Sequence, residues 1–151
     1  MATPQGKIEE DVKAALKAGD KLRLSTLRLL LTELKNERIR RGEDVDEAGF
    51  LALVQKGIKQ RKDAAEQYRR GERPELAEKE EAEADILGSY LPEAVSEEEL
   101  EQAVREVIAT QNLSGPSGLG PIMKQLMPRF AGRTDGATLQ KIARRLLAPD
   151  K

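Results

Sequence analysis

One stretch of the chain, residues 55–92, constrains the fold more than any other. Its sequence is QKGIKQRKDAAEQYRRGERPELAEKEEAEADILGSYLP, with a short turn around Gly71 and Pro74. Glycine commonly ends a helix, and proline suits the first turn of the helix that follows. The stretch therefore predicts two helices that fold back on each other as an antiparallel hairpin.

Each helix of this hairpin carries a seam of residues that step by three and four positions and so share one helical face. The seams are Leu51, Val54, Ile58, Arg61, Ala65 and Tyr68 in the first helix, and Leu76, Glu80, Glu83, Leu87 and Tyr90 in the second. In a hairpin that turns near Arg73, Arg61 should lie level with Glu83, and Glu80 should lie one turn away. A core-facing charge is tolerated only when it is paired and hydrogen-bonded, so an ion pair is predicted here.

Arg61, Glu80 and Glu83 allow two interpretations. They could form a polar functional site inside the hairpin, or they could fix the register of the two helices, as buried polar residues do in coiled coils. We favour the structural interpretation because no nucleophile or metal ligand of another type accompanies them. The chain has no cysteine and no histidine, which excludes disulfides, thiol nucleophiles, histidine bases and the usual zinc ligands. We expect no catalytic residue, no metal site and no cofactor.

The rest of the chain also shows helical patterns and no strand pattern. Before the hairpin, Asp20 is predicted to cap a helix whose seam is Leu24, Leu27, Leu31 and Leu34. Asp46 is predicted to cap the helix that follows. After Pro92, Ser96 with Glu99 predicts a capping box and Asp135 a further cap. We expect an all-α fold. Its N-terminal helical module (1–92) contains the long hairpin, and its C-terminal module (93–151) is a compact bundle of three helices.

Charge is distributed unevenly along the C-terminal module. The segment from Glu93 to Glu106 is acidic, whereas from Val107 to Ala148 one acid, Asp135, stands against six cations, a balance of +5. These six are the candidate RNA-binding residues Lys124, Arg129, Arg133, Lys141, Arg144 and Arg145. A basic patch on a nearly neutral protein allows contact with nucleic acid.

Two blocks of sequence resemble a known family. The first comprises Lys59-Gln60-Arg61, Leu76-Ala77-Glu78-Lys79-Glu80 with Glu83, and Tyr90-Leu91-Pro92; the second comprises Leu119-Gly120-Pro121-Ile122-Met123-Lys124 and Gly132-Arg133-Thr134-Asp135-Gly136. They resemble the YqeY-like family, which is similar to the C-terminal tail domain of the GatB subunit of the tRNA-dependent amidotransferase. The resemblance implies a helical fold and a tRNA-facing role. Pro121 stands where the family usually has lysine, so Lys124 would have to serve instead.

Three functional hypotheses follow. The favoured one is a non-catalytic accessory module that binds tRNA. The alternative is a helical adaptor that docks on an aminoacylation or amidation enzyme through an apolar groove between the modules. A carbon–nitrogen ligase activity with glutamine as amido donor is less favoured, because the catalytic body of GatB is absent. No apolar run approaches membrane-spanning length and no signal-peptide core is visible, so we expect no membrane association and a cytoplasmic location.

Overall fold

The computed structural model describes residues 3–148. In this range the chain forms seven α-helices, one 3-10 turn and no strand, which confirms the predicted all-α class. The helices are α1 (Pro4–Ala18), α2 (Lys21–Arg41), α3 (Glu47–Arg70), α4 (Pro74–Gly88), α5 (Glu97–Gln111), α6 (Leu119–Arg129) and α7 (Gly136–Leu147), and the 3-10 turn Pro116–Gly118 leads into α6.

The chain divides into two compact units, an N-terminal unit that ends at Leu91 and a C-terminal unit that begins at Pro92. The first contains α1 to α4 and the second α5 to α7. Between Gly88 and Glu97 the chain is not helical. Pro92 lies in this segment, where its fixed φ and missing N–H oppose continuation of a helix.

The helix starts follow the local sequence. Asp20, Asp46, Ser96 and Asp135 each accept a hydrogen bond from the backbone N–H three residues later, as predicted. The shortest of these bonds joins Asp135 Oδ1 to the Thr138 amide at 2.7 Å. The reciprocal half of the predicted capping box does not form, because Glu99 turns instead toward Arg133, at 3.8 Å.

The turn between α3 and α4 differs from the prediction by one residue. Gly71 keeps a right-handed φ of −86°, and the left-handed residue is Glu72, with φ 61°. The Arg73 amide donates to the Tyr68 carbonyl at 2.7 Å. A bond of this span closes a Schellman motif, in which the left-handed residue follows the C-cap. The helix therefore ends one step beyond the point at which a glycine stop was expected.

Helices α3 and α4 pack closely as an antiparallel pair. Small residues allow this approach: Gly57 is buried, and Ala77 and Ala84 are 0% and 5% exposed. A Cβ atom on Gly57 would lie 3.0 Å from a methyl carbon of Leu87, which is shorter than an ordinary van der Waals contact. A larger residue at position 57 would therefore require the Leu87 side chain to shift.

The buried face of α2 is rotated from the predicted one. Its buried residues are Thr26, Leu27, Leu30 and Leu34, and Leu24 and Leu31 are only half-buried. The reason is tertiary, since α2 packs against α1 as well as against α3 and α4. Leu29 and Ile39, at 54% and 76% exposed, lie outside the core.

The C-terminal unit has its own core, built from one face of each of its three α-helices. Leu100 and Val104 of α5, Leu126 of α6, and Leu139 and Ile142 of α7 are all buried in it. Phe130 is 2% exposed at the end of α6, while Met123 and Met127 pack against the same core from its edge.

Tyr90 connects the end of the hairpin to α1. Its hydroxyl donates to Asp11 Oδ2 at 2.6 Å, and its ring meets Phe50 edge to face, with centroids 6.0 Å apart. Burial raises the pKa of Tyr90, the hydrogen bond to the Asp11 carboxylate raises it further, and nearby Arg23 partly opposes both. The sequence pattern placed Tyr90 on the hairpin seam but gave no sign of its partner.

We expect Tyr90→Phe to lower the free energy of unfolding at pH 7 by about 1–2 kcal/mol, because a hydrogen bond to a charged acceptor is lost. A raised pKa in the folded state gives a stabilisation that is complete below pH 10.0, the ordinary tyrosine value, and is lost as the pH rises above it. Urea unfolding at pH 7 and at alkaline pH measures both effects. Tyr68→Phe is the control; an equal loss in the two variants would contradict the assignment.

Candidate functional site

The hairpin places Arg61 beside Glu83. Arg61 Nε donates to Glu83 Oε2 at 3.1 Å, and a terminal guanidinium nitrogen donates to the Gly57 carbonyl at 3.2 Å. The two side chains are 11% and 12% exposed. Glu80 is half-buried and forms no ion pair with any residue in the described range. The charged atoms of the pair face each other across the helices, which suits a contact that fixes register.

The six candidate RNA-binding cations differ in what they contact. Arg133 is held inside the C-terminal unit: its Nε donates to the Glu93 carbonyl at 3.0 Å, and its guanidinium lies 3.8 Å from Glu99. Its own carbonyl accepts from the Val95 amide at 2.9 Å. Arg133 therefore fixes the segment that leads into α5.

Arg145 is also engaged within the unit. Its guanidinium forms an ion pair with Glu101 and lies 3.8 Å from Glu97, both on α5. This contact joins α7 to α5. Arg129 has no carboxylate partner among the described residues, but its guanidinium lies over the ring of Phe130, 5.1 Å from the centroid, as in a cation–π contact.

Arg129 and Arg145 are exposed, and so are the three remaining candidates, Lys124, Lys141 and Arg144. Within residues 3–148 none of these three forms an ion pair or a side-chain hydrogen bond. Lys141 and Arg144 are three positions apart on α7, so they lie on one face, opposite the buried residues Leu139 and Ile142. They present two free cations side by side to solvent.

The C-terminal unit is neutral overall but separates its charges. Residues 92–148 hold seven cations and seven acids, a net charge of 0. Six of the acids lie between Glu93 and Glu106, and Asp135, the seventh, caps α7. The acids of α5 neutralise Arg133 and Arg145. The basic character therefore rests on Lys124, Arg129, Lys141 and Arg144, a smaller set than the sequence predicted.

The glycine-rich loop before α6 is a packing element. Gly118 is buried against α7, and a Cβ atom there would lie 2.6 Å from a methyl carbon of Leu147. The Gly115 amide donates to the Leu147 carbonyl at 3.3 Å. Pro121 lies in the first turn of α6, where its missing N–H has no partner to lose. The loop and Leu119, with Arg144, line an apolar cavity of about 330 Å³.

Residues 3–148 contain no group of three or more acidic, histidine or cysteine side chains placed to hold a metal ion. No helix in that range combines the length and the apolar character needed to cross a membrane.

We expect Arg61→Met to cost roughly 3–5 kcal/mol of stability, because Glu83 would keep a buried charge without a partner. The double variant Arg61→Met/Glu83→Leu should recover most of this loss. Arg69→Met is the matched control, since Arg69 pairs with Glu81 between the same helices but the two side chains are 50% and 48% exposed. An exposed pair contributes at most about 1 kcal/mol. Equal losses by urea unfolding for the two single variants would refute the prediction.

We expect Arg133→Met to destabilise the C-terminal unit by about 1–3 kcal/mol, because the contacts to Glu93 and Glu99 are lost. Hydrogen exchange at the Val95 amide should speed up in this variant. Lys124→Met, at an exposed site without a partner, should change stability by no more than about 0.5 kcal/mol. Unchanged exchange at Val95 in the Arg133 variant would show that Arg133 does not hold this segment.

Comparison with known proteins gives relatives over most of the chain. A protein named "Altered inheritance of mitochondria protein 41, mitochondrial" from Lachancea thermotolerans is 37% identical over 113 residues, which are 73% of this chain and 60% of that protein. The protein of the same name from Kluyveromyces lactis is 36% identical and covers 73% of this chain and 61% of its own length. That from Pyrenophora tritici-repentis is 28% identical over 84% of this chain and 71% of its length. The chain spans about 60% of the length of the first of these relatives.

These names contradict the predicted cytoplasmic location, because all three relatives are named as mitochondrial proteins. The prediction rested on the lack of an apolar run of membrane-spanning length and of an apolar signal-peptide core. Neither criterion separates the cytoplasm from mitochondria, since mitochondrial transit peptides are amphipathic and rich in arginine rather than apolar.

One family model matches almost the whole of the described range. A family model described as "Yqey-like protein" matches residues 5–147. The match includes both blocks of sequence that carried the resemblance. The chain belongs to the YqeY-like family.

Proposed function

We propose that this protein is a non-catalytic accessory module that binds tRNA through the basic side of its C-terminal unit. The observation that carries the proposal is the separation of charge in that unit. Lys124, Lys141 and Arg144 are exposed without a partner among the described residues, while Glu99 and Glu101 of α5 pair with Arg133 and Arg145. The resemblance to the tail domain of GatB supports tRNA as the nucleic acid.

The internal contacts of Arg133 and Arg145 reduce the expected footprint. A cation that already pairs with a carboxylate must lose that contact before it can bind a phosphate. Three free cations correspond to about three phosphate contacts, and each contact lowers log affinity by about 0.7–0.9 per unit of log salt. We therefore expect a slope of about −2 to −3 for this surface.

The aromatic residues favour recognition of the RNA backbone and shape over base stacking. The chain has two phenylalanines and two tyrosines. Phe50 and Phe130 are 4% and 2% exposed, and Tyr68 and Tyr90 are half-buried. Proteins that bind single strands stack bases on exposed aromatic rings, whereas folded RNA is recognised through phosphates and shape. The aromatic residues of this chain are therefore consistent with recognition of folded RNA through its phosphates and its shape.

A catalytic role is the less favoured hypothesis. The chain lacks the cysteine and histidine on which common acyl-transfer sites depend. Its buried charged pair, Arg61 and Glu83, is occupied by its own hydrogen bonds. A carbon–nitrogen ligase activity would rest on the family connection alone.

The helical adaptor is the second candidate, and two features favour it. The cavity beside Leu119 and Leu147 has an apolar lining, and Leu29 and Ile39 of α2 are exposed. Exposed apolar side chains and apolar cavities are common at protein–protein contacts. An adaptor would use one of these two surfaces to dock on an aminoacylation or amidation enzyme.

Titration of the full-length chain with unfractionated tRNA at several salt concentrations tests the proposal. The variant Lys124→Ala/Lys141→Ala/Arg144→Ala should bind many tRNAs more weakly and should flatten the salt slope by about 2 to 3, since phosphate contacts carry little sequence information. The control Lys56→Ala/Lys59→Ala/Lys62→Ala removes the same charge from α3 and should do less.

Absence of tRNA binding by the unmodified protein at low salt would overturn the proposal. Equal effects of the two triple variants would also count against it, since the affinity would then follow net charge rather than one surface. Retained binding to a protein partner in the absence of RNA binding would favour the adaptor.

A further inference from the structure

The outer face of helix α2 carries a line of exposed cations. Lys21, Arg28 and Lys35 follow one another at seven-residue spacing, and all three are exposed. Seven residues fall about 20° short of two helical turns at about 3.6 residues per turn. The three cations therefore form a single line along the outer face of α2, away from buried Leu27, Leu30 and Leu34.

No acid neutralises this line. The positions three and four residues from Lys21, Arg28 and Lys35 hold no acidic residue, so the usual intrahelical ion pairs are not available. None of the three forms an ion pair with any other residue of the described range. Glu33 and Glu37, the two acids of α2, both line a groove between α2 and α3.

Glu37 shows how the acids of α2 are used. It pairs with Arg40 and Arg41. Burial alone would raise the pKa of Glu37, but the hydrogen bonds from Arg41 and Arg40 hold it below its ordinary value. Glu37 thereby offsets part of the positive charge near the end of α2, whereas no acid of the described range pairs with the cations of the outer line.

Helix α3 provides the contrast. Its exposed lysines Lys59 and Lys62 each have an acid four residues later, Asp63 and Glu66. Lys56 lines the same groove as Glu37. The cations of α3 are therefore interleaved with acids, and an extended anion would meet both signs of charge there.

The arrangement on α2 suits an extended polyanion. At a rise of about 1.5 Å per residue the cations are about 10.5 Å apart and the line is about 21 Å long. A single small anion needs donors that converge, but Ser25 and Thr32 donate their hydroxyls to the carbonyls of Leu22 and Arg28. A backbone with a regular repeat of phosphates can instead neutralise all three cations at once.

We propose that the outer face of α2, defined by Lys21, Arg28 and Lys35, is a second surface for the phosphate backbone of RNA, carried by the N-terminal unit. The inference rests on the proposed function, because it takes the same class of ligand. It adds about three phosphate contacts to those of the C-terminal unit. The salt slope of the full chain should then be about −4 to −5.

The test compares two variants of equal charge in the full-length chain. Lys21→Gln/Arg28→Gln/Lys35→Gln should bind unfractionated tRNA about tenfold or more weakly at low salt and should flatten the slope by about 2 to 3. Lys56→Gln/Lys59→Gln/Lys62→Gln is the matched control and should lose much less. All six positions are exposed, and glutamine is a good helix former, so both variants should keep the circular dichroism and melting temperature of the parent.

The outcomes separate this inference from the proposed function. If the α2 variant binds like its control while the Lys124/Lys141/Arg144 variant has lost affinity, the α2 surface is refuted and the C-terminal surface stands. If instead the α2 variant has lost affinity while the Lys124/Lys141/Arg144 variant binds like the parent, the α2 surface is supported and the C-terminal surface is refuted. No tRNA binding by the parent would overturn both. The same variants are also titrated with poly-glutamate, an acidic polypeptide. If the α2 variant loses poly-glutamate binding but binds tRNA as the parent does, the α2 surface would be assigned to an acidic protein and the inference would be overturned.

Discussion

The close packing of α3 on α4 is the constraint on which the N-terminal unit depends. Gly57, Ala77 and Ala84 bring the two helices near enough for Arg61 and Glu83 to meet with both side chains buried. A buried pair of this kind adds little stability over an apolar pair of the same size, but a mismatch of its partners is costly. We therefore expect the ion pair to act mainly against shifted registers of the hairpin, while the small residues allow the close packing.

The C-terminal unit uses charge differently. Its acidic helix α5 is the internal partner of Arg133 and Arg145, so the same residues that make the unit neutral also hold α7 and the segment before α5 in place. What is left uncompensated is a set of exposed cations, Lys124 on α6 and Lys141 and Arg144 on α7. A protein with no net excess of positive charge can in this way still present a local field to a polyanion.

Features encoded by neighbouring residues could be predicted from the sequence, and features set by distant contacts could not. Asp46 and Asp135 were recognised as caps because a cap bonds an amide only three residues away. The buried face of α2 was misplaced because its position depends on α1, α3 and α4 together. The hydrogen bond from Arg133 to the Glu93 carbonyl could not be predicted, because the two residues are 40 positions apart and leave no periodic signal. The family was recognisable from two short blocks, whereas nothing in the sequence pattern indicated that relatives would be named as mitochondrial proteins.

The three-residue turn between α3 and α4 has a consequence for the order of folding. Arg61 and Glu83 are 22 positions apart, whereas Tyr90 and Asp11 are 79 apart. The entropy lost on closing a loop grows with its length, and contacts between near neighbours in sequence form sooner. The contact between Arg61 and Glu83 can therefore form before the contact between Tyr90 and Asp11. A hairpin that forms early brings Tyr90 into place before its hydroxyl bonds the Asp11 carboxylate of α1.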